Sequence, residues 1–317
     1  MKLLTFSIVV IRPDLLESCL DTLYKYTDPL IFNVIVVDQT LKGIDVNLRD
    51  KYQNLMIIRS PKTARFYTGN LGFQKANNLA LALTETPYFV FWNDDVEAIH
   101  AGWVEGVMET FRKVEKATPA RPALLVNVAS IKLPDWSVGK PKGEHHYILP
   151  YKKQYTDEDW DFLVNEPHFV NEHLTITPGS VIDGINLYAS VAKTDLLRKI
   201  GLDERWHPGS AGDYDLCSIA SMHGYRCIGT TLSWVYHHWS VSFAAIQDEQ
   251  DTSSLVIPEL YQGDLRTKWG DRFDLWGTKC LKCDSILHIG EDYDNIAVCS
   301  KHPTQKFTIP PNLKIPL

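Results

Sequence analysis

Four short, nearly continuous apolar runs set the limits on what this chain can fold into: Leu3–Ile11, Phe32–Val37, Leu55–Ile58 and Tyr88–Trp92. A strand that is apolar on both faces must be covered on both, which is the habit of parallel sheets. Between the runs the period changes. After Pro13, suited to a first helical turn, Leu15, Leu16, Cys19, Leu20 and Leu23 recur at helical spacing, with Asp14 and Glu17 near the positive end. Phe73 to Leu83 and Trp103–Val114 also read as helices. Strands alternating with helices predict an α/β fold whose sheet is mainly parallel in this half. Ligands of such sheets sit at the carboxyl ends of the strands. Those ends carry Asp38 after one run and Asn93-Asp94-Asp95 after another.

Composition narrows the partners. The 317 residues carry a formal charge of −7, and the pI is near 5.9, so no global positive field draws the chain to nucleic acid or anionic membrane. Leu3–Ile11 is too short, and followed by the wrong residues (Arg12-Pro13), for a cleaved signal peptide. No stretch approaches the ~18 apolar residues of a membrane span. Of the six cysteines, Cys19, Cys217 and Cys227 lie in apolar patterns while Cys280, Cys283 and Cys299 cluster late, which is no disulfide framework. The expectation is an intracellular, cytoplasmic protein without a membrane partner.

The middle of the chain is less regular. Ala123–Ile131 is strand-like, while the acidic, aromatic stretch Tyr151 to Thr175 has no legible fold. Ordered signals return at Ser180–Val191, in a helix near Thr194–Lys199, in another from about Asp213 to His223, and in the extended Ile228–Tyr236. We expect a main domain over 1–245, with halves 1–120 and 121–245, and a C-terminal extension over 246–317.

Three local features could carry chemistry. Adjacent carboxylates in Asn93-Asp94-Asp95 suit a hard divalent cation shared with phosphates; a turn with a helix N-cap is the competing reading. Gly209-Ser210-Ala211-Gly212-Asp213 delivers an Asp to a helix start, where the macrodipole holds it ionised as a general base; a plain N-cap is again the alternative. In Tyr236-His237-His238, a histidine at a strand end can ligate a metal or be structural.

Taken in order, with Asn70-Leu71-Gly72-Phe73 and Ala76-Asn77-Asn78 between them, these blocks resemble the family 2 glycosyltransferases of the GT-A fold, over about residues 5–120 and 180–242. The resemblance implies a Rossmann-like mixed sheet with helices on both faces. It also implies inversion in one displacement from a nucleotide-diphospho-sugar donor, aided by Mn²⁺ or Mg²⁺. Asp95 would be the metal ligand, and Asp94 would contact the ribose or complete the metal site. Asp38 would recognise the nucleoside, while Asn70 and Gly72 let the chain pass close to the base. Asp213 matches the general base, and His237 the late metal- or phosphate-contacting histidine, with His238 competing. Two positions depart from the pattern. Gly212 stands where the family often has Glu, and Ile11-Arg12-Pro13 replaces the usual turn after the first strand, so Arg12 could pair with a donor phosphate.

Near the end, Cys280-x2-Cys283 and Cys299-x2-His302, fifteen residues apart, have the spacing of a four-ligand structural zinc site. Lys279 and Lys282 favour thiolate, and His288 is an alternative fourth ligand. This predicts a small zinc-binding module folded by its metal. From Asp264 to Leu317 there are 8 Lys and Arg against 7 acids, so no polybasic arm is present. The resemblance leaves as expected acceptor a glycan or, as in some phage-type enzymes acting in a host cytoplasm, a modified DNA base. A non-catalytic GT-A-like module working through its zinc ribbon is the alternative. A nucleotidyltransferase ranks last for want of a Gly-rich, basic phosphate loop after the first strand.

Overall fold

A computed structural model describes residues 2–40, 42–60, 71–117, 119–131, 168–171, 174–176, 181–183, 187–206, 212–238, 288–289, 296–298 and 306–308. The first strands are β1 (Leu4–Val10), β2 (Phe32–Asp38), β3 (Leu55–Arg59), β4 (Tyr88–Asn93) and β5 (Val96–Ala98). Among them run α1 (Pro13–Tyr26), α2 (Leu48–Lys51) and α3 (Phe73–Ala82). Next come α4 (Trp103–Ala117) and β6 (Ala123–Ile131), followed by β7 (His168–Asn171), β8 (Leu174–Ile176), β9 (Val181–Asp183) and β10 (Ala189–Lys193). Then follow α5 (Thr194–Ile200), α6 (Gly212–Met222) and β11 (Arg226–His237). The last strands are β12 (His288–Ile289), β13 (Ile296–Val298) and β14 (Lys306–Thr308).

Nine strands form one sheet in the order β3-β2-β1-β4-β10-β6-β11-β5, with β9 also on β11. The first four are parallel, as the apolar runs predict. Beyond β4 the sheet is mixed: β10 runs antiparallel to both β4 and β6, while β6 and β11 are parallel. A buried strand reads the same in either direction, so hydrophobicity alone does not mark this reversal. Strands β12, β13 and β14 form a separate antiparallel sheet, and β7 pairs with β8.

Strand alternation sends successive side chains to opposite faces. Phe6, Ile8 and Val10 of β1, with Val34, Val36, Val90 and Trp92, pack under Leu16, Leu20 and Leu23 of α1 and Trp103, Val107 and Phe111 of α4. Each fully buried leucine contributes roughly 2 kcal/mol. Helix α1 begins with Pro13 at its first turn and has Asp14 near the N-terminus and Lys25 near the C-terminus, both favourable to the dipole. The other face takes Val9, Ile35, Val37, Phe89 and Phe91 against Ala76 and Ala80 of α3, Leu197 of α5, and Leu216 and Ala220 of α6. On that face β1 also carries polar residues, and each is partnered. Ser7 donates to Asn77 Oδ1 at 2.8 Å, and the Thr5 and Thr86 hydroxyls meet at 2.8 Å. Cys19, Cys217 and Cys227 are buried and form no disulfide among the described residues.

Strand β11 has a register break that matters below. Thr230 pairs with Val128 and Trp234 with Ala129, so residues 231–233 bulge out. Before the bulge β11 pairs with β9; after it, with β5, with Tyr236 opposite Glu97 and His237 opposite Val96. Gly106 of α4 is where the helix meets the bulge. A Cβ there would fall 2.3 Å from the Leu232 carbonyl oxygen, and the Ser233 hydroxyl donates to Trp103 O at 2.5 Å. Beside it, buried His100 takes a hydrogen bond from the Trp234 amide and contacts Ala101 O through Nδ1. Burial pushes its pKa down to about 4, so the ring is neutral at physiological pH.

Candidate active site

Parallel β1, β2 and β4 end on one edge, and their carboxyl ends collect the polar residues. Asp38, 3% exposed, closes β2. Its Oδ1 accepts hydrogen bonds from the Thr40 amide and hydroxyl, at 2.9 and 2.7 Å, and its Oδ2 from the Ile44 amide at 3.2 Å. The carboxylate therefore orders the loop after β2, and any ligand contact adds to that role through remaining lone pairs. Its neighbour Gln39 is equally buried. Gln39 Oε1 accepts from the Leu71 amide at 2.5 Å, which ties the approach to α3 onto the end of β2, while its Nε2 is buried with no hydrogen-bond partner.

Asp94 and Asp95 are adjacent and both buried, yet they point to different neighbours. Asp94 Oδ2 accepts from the main-chain amides of Ile11 and Arg12 at 3.0 and 2.9 Å, fixing the turn from β1 into α1. Charge-assisted bonds of this type are the strong ones. The Arg12 fork grips Asp14 at 2.9 and 2.7 Å, and this bond holds the Asp14 carboxyl below its usual range. Behind Asp94, burial and then the Asp94 charge push the Cys19 thiol well up, so it stays protonated.

Asp95 faces β11 instead. The β5–β11 register brings His237 Nε2 to 3.3 Å from Asp95 Oδ1, and the His238 amide donates to the Asp95 carbonyl at 2.9 Å. Oδ1 is buried but receives no hydrogen bond. The imidazole of His237 is stacked on Tyr188, ring centroids 4.5 Å apart, and the Tyr188 hydroxyl is anchored to Val128 O at 2.8 Å. The next ring turns the other way. His238 Nε2 lies 2.9 Å from Glu97 Oε1, an oxygen that also accepts from the Ser18 hydroxyl at 2.8 Å. Burial raises the Glu97 pKa, but the His238 and Ser18 bonds outweigh it and hold the carboxyl below its usual value. Of the two histidines, it is His237 that meets Asp95. Among the described residues no group of three or more His, Cys, Asp or Glu side chains is gathered as a metal cage.

Opposite the strand ends, two helices begin. Gly72 caps α3 with φ of 80°, a left-handed conformation that favours glycine. Asn70 lies outside the described residues. Helix α6 starts at Gly212, with half-buried Asp213 and buried Asp215 in its first turn, where the helix dipole favours negative charge. Against Gly212 lies Gln74, 1% exposed on α3, whose Nε2 and Oε1 are both buried and without a hydrogen-bond partner. Leaving one such group unsatisfied costs roughly 1–3 kcal/mol. Gln39 and Gln74 escaped the sequence reading because an amide carries neither charge nor motif. The one available signal was that Gln74 directly follows the Asn70-Leu71-Gly72-Phe73 block while a glycine, Gly212, precedes Asp213. Cys280, Cys283, Cys299 and His302 lie outside the described residues, and of His288 only the β12 backbone is described.

No helix among the described residues is long and apolar enough to cross a membrane. No curated protein matches the chain. Among solved structures, residues 1–349 of TarS from S. aureus are 16% identical, over 86% of this chain and 69% of that one, with a TM-score of 0.45. The same fragment in complex with UDP-GlcNAc gives 0.48 at 16% identity, over 86% of this chain and 70% of that chain. A longer TarS structure, of which 42% is covered against 87% of this chain, gives 0.46 at 16% identity. Residues 8–170, just over half of the chain, match the family model for glycosyl transferase family 2. The matched span begins in β1 and runs through the parallel strands, Gly72, Asp94 and Asp95 as far as β7, so that β10, α6 and β11 lie beyond it. The chain is therefore a GT-A-fold glycosyltransferase and belongs to glycosyl transferase family 2.

Proposed function

We propose that this glycosyltransferase is inverting and divalent-metal-dependent, and that it moves a sugar from a nucleoside diphosphate sugar to an acceptor hydroxyl. The observation that carries the reading is Asp95 Oδ1, buried, without a hydrogen-bond donor, and 3.3 Å from His237 Nε2. A carboxylate oxygen and an imidazole nitrogen converging at a strand end fit two ligand positions of Mn²⁺ or Mg²⁺, with the remainder left to a diphosphate. When bound, the cation would stabilise the charge that develops on the leaving diphosphate. Asp38 and Gln39 then face the nucleoside, and Gly72 admits the chain close to it.

Asp213 is the base. It takes the proton of the acceptor hydroxyl as that oxygen bonds to the anomeric carbon; the bond from that carbon to the diphosphate oxygen breaks, and the nucleoside diphosphate leaves with the electron pair. One displacement inverts the anomeric centre. With a net charge of −7, a glycan hydroxyl suits the acceptor better than a DNA base, which would need a few placed cations. Cys280, Cys283, Cys299 and His302 would hold one structural zinc per chain, which a metal assay counts.

The test is a thermal-shift panel of uridine, guanosine, thymidine and adenosine diphosphates and their sugars, with and without Mn²⁺. A ligand at 100 times its Kd adds about 2.7 kcal/mol to stability. Metal-dependent stabilisation by one nucleotide, lost in Asp95→Ala, is the expected outcome. Asp213→Asn should keep that stabilisation while transfer falls on the order of 10²–10⁴-fold. Full transfer by Asp213→Asn would remove it as the base. No stabilisation by any nucleotide would leave the non-catalytic alternative.

A further inference from the structure

Gln74 and Gly212 form one feature although they lie on different helices. A Cβ at Gly212 would fall 1.6 Å from Gln74 Nε2 and 2.6 Å from its Cδ, so the Gln74 amide occupies the space that a side chain at 212 would need. The amide is buried at 1% exposure and both of its polar atoms are unpartnered. It offers two donors and a two-lone-pair acceptor, a set matched to neighbouring hydroxyls on one sugar ring. Its neighbours along the chain relate it to the rest of the site. Three residues earlier, the Leu71 amide is bonded to Gln39 beside Asp38, and one residue beyond Gly212 is Asp213. Gln74 thus belongs to a segment tied at one end to Gln39, beside Asp38, and packed at the other against Gly212, next to Asp213; on the proposed donor reading this is the interval a donor sugar spans.

We infer that Gln74 binds hydroxyls of the transferred sugar and takes the place of the acidic side chain missing at Gly212. The inference rests on the donor reading given under Proposed function. A buried amide waiting for a sugar destabilises the free protein and is satisfied only when the ring arrives.

Gln74→Met, of similar length but without hydrogen-bonding groups, tests this with the nucleotide panel above. The variant should melt at the same temperature as the parent or higher in the absence of ligand. It should keep the shift given by the bare nucleoside diphosphate and lose the additional shift given by the nucleotide sugar. In donor hydrolysis with water as acceptor, its donor KM should rise at least tenfold. Gly212→Ala alone should still fold but push the Gln74 amide aside and raise the donor KM, and the added change Gln74→Ala should not restore it. An unliganded melting temperature several degrees below the parent would mean that the amide caps α6, and would overturn the inference. So would a nucleotide-sugar shift and donor KM within twofold of the parent. If the parent itself responds to no nucleotide, the donor reading fails and this inference with it; if the parent distinguishes sugar from nucleotide and Gln74→Met does so equally, only this inference fails.

Discussion

The two halves of the sheet treat their strand-end carboxylates differently, and the Asp94–Asp95 pair lies on the seam between them. On the parallel side, β3-β2-β1-β4, the strand-end carboxylates are taken up by the chain itself: Asp38 by the loop to Ile44, and Asp94 by the turn into α1. On the mixed side, where β11 and β5 meet, the buried Asp95 Oδ1 receives no hydrogen bond and faces the His237 ring; the amide nitrogen of Gln39 and the amide of Gln74, between the parallel strands and α6, are left unsatisfied as well. The first arrangement stabilises the fold. The second gives up stability and leaves groups aimed at something the protein does not contain, which is the usual mark of a binding site.

Three measurements can break or sharpen this contrast. The largest effect should come from Gly106→Ala, because the new methyl would strike the main chain of the β11 bulge rather than a movable side chain. We expect about 3 kcal/mol of destabilisation by denaturant melts, whereas a value below about 1 kcal/mol would show that α4 and the bulge are not rigidly joined. Next, Asp94→Ala strips the acceptor from two main-chain amides and should cost about 2 kcal/mol. Asp95→Asn removes a buried charge that accepts nothing at Oδ1, so it should leave metal-free stability unchanged or higher. Equal losses from both would erase the distinction between the two carboxylates.

The most gradual effect concerns pH. His100 binds a proton at about pH 4 when folded, against about 6.5 when unfolded. Its contribution is therefore full above pH 6.5 and declines as pH falls towards 4, by up to about 1.4 kcal/mol per unit. His100→Gln should flatten the slope of stability between pH 6.5 and 4.5; an unaltered slope would place the titration elsewhere.

How far these features were legible in the sequence depends on what kind of signal each one is. The parallel strands, α1, α3 and α4 were readable because hydrophobic period reports burial directly. Strand β5 was not, since Val96–Ala98 is too short to show any period, yet it is this strand's register that selects His237 over His238. The reversed direction of β10 left no trace, because both faces of it are buried. The two readings of Asn93-Asp94-Asp95, turn or ligand site, divide between its members: Asp94 does the work of a turn residue, and Asp95 is the one left facing another element. Gln39 and Gln74 depend on what each amide is buried against, and that is a property of tertiary structure alone. The Gly212 position looked like a loss because the side chain that fills its space comes from another helix, Gln74 of α3.

Residues 231–233 act as a counting device. Four steps along β11, from Thr230 to Trp234, correspond to a single step along β6, from Val128 to Ala129. The three extra residues are an odd number, so Thr230 and Trp234 look to opposite faces although an unbroken strand would put them on the same one. Everything downstream, His237 included, inherits that inversion. Removing one residue from the bulge would rotate His237 to the far face of the sheet and away from Asp95, while removing two would preserve its facing. Descendants of this chain can therefore alter the chemistry of the bulge more freely than its length, and insertions or deletions there should survive only in pairs.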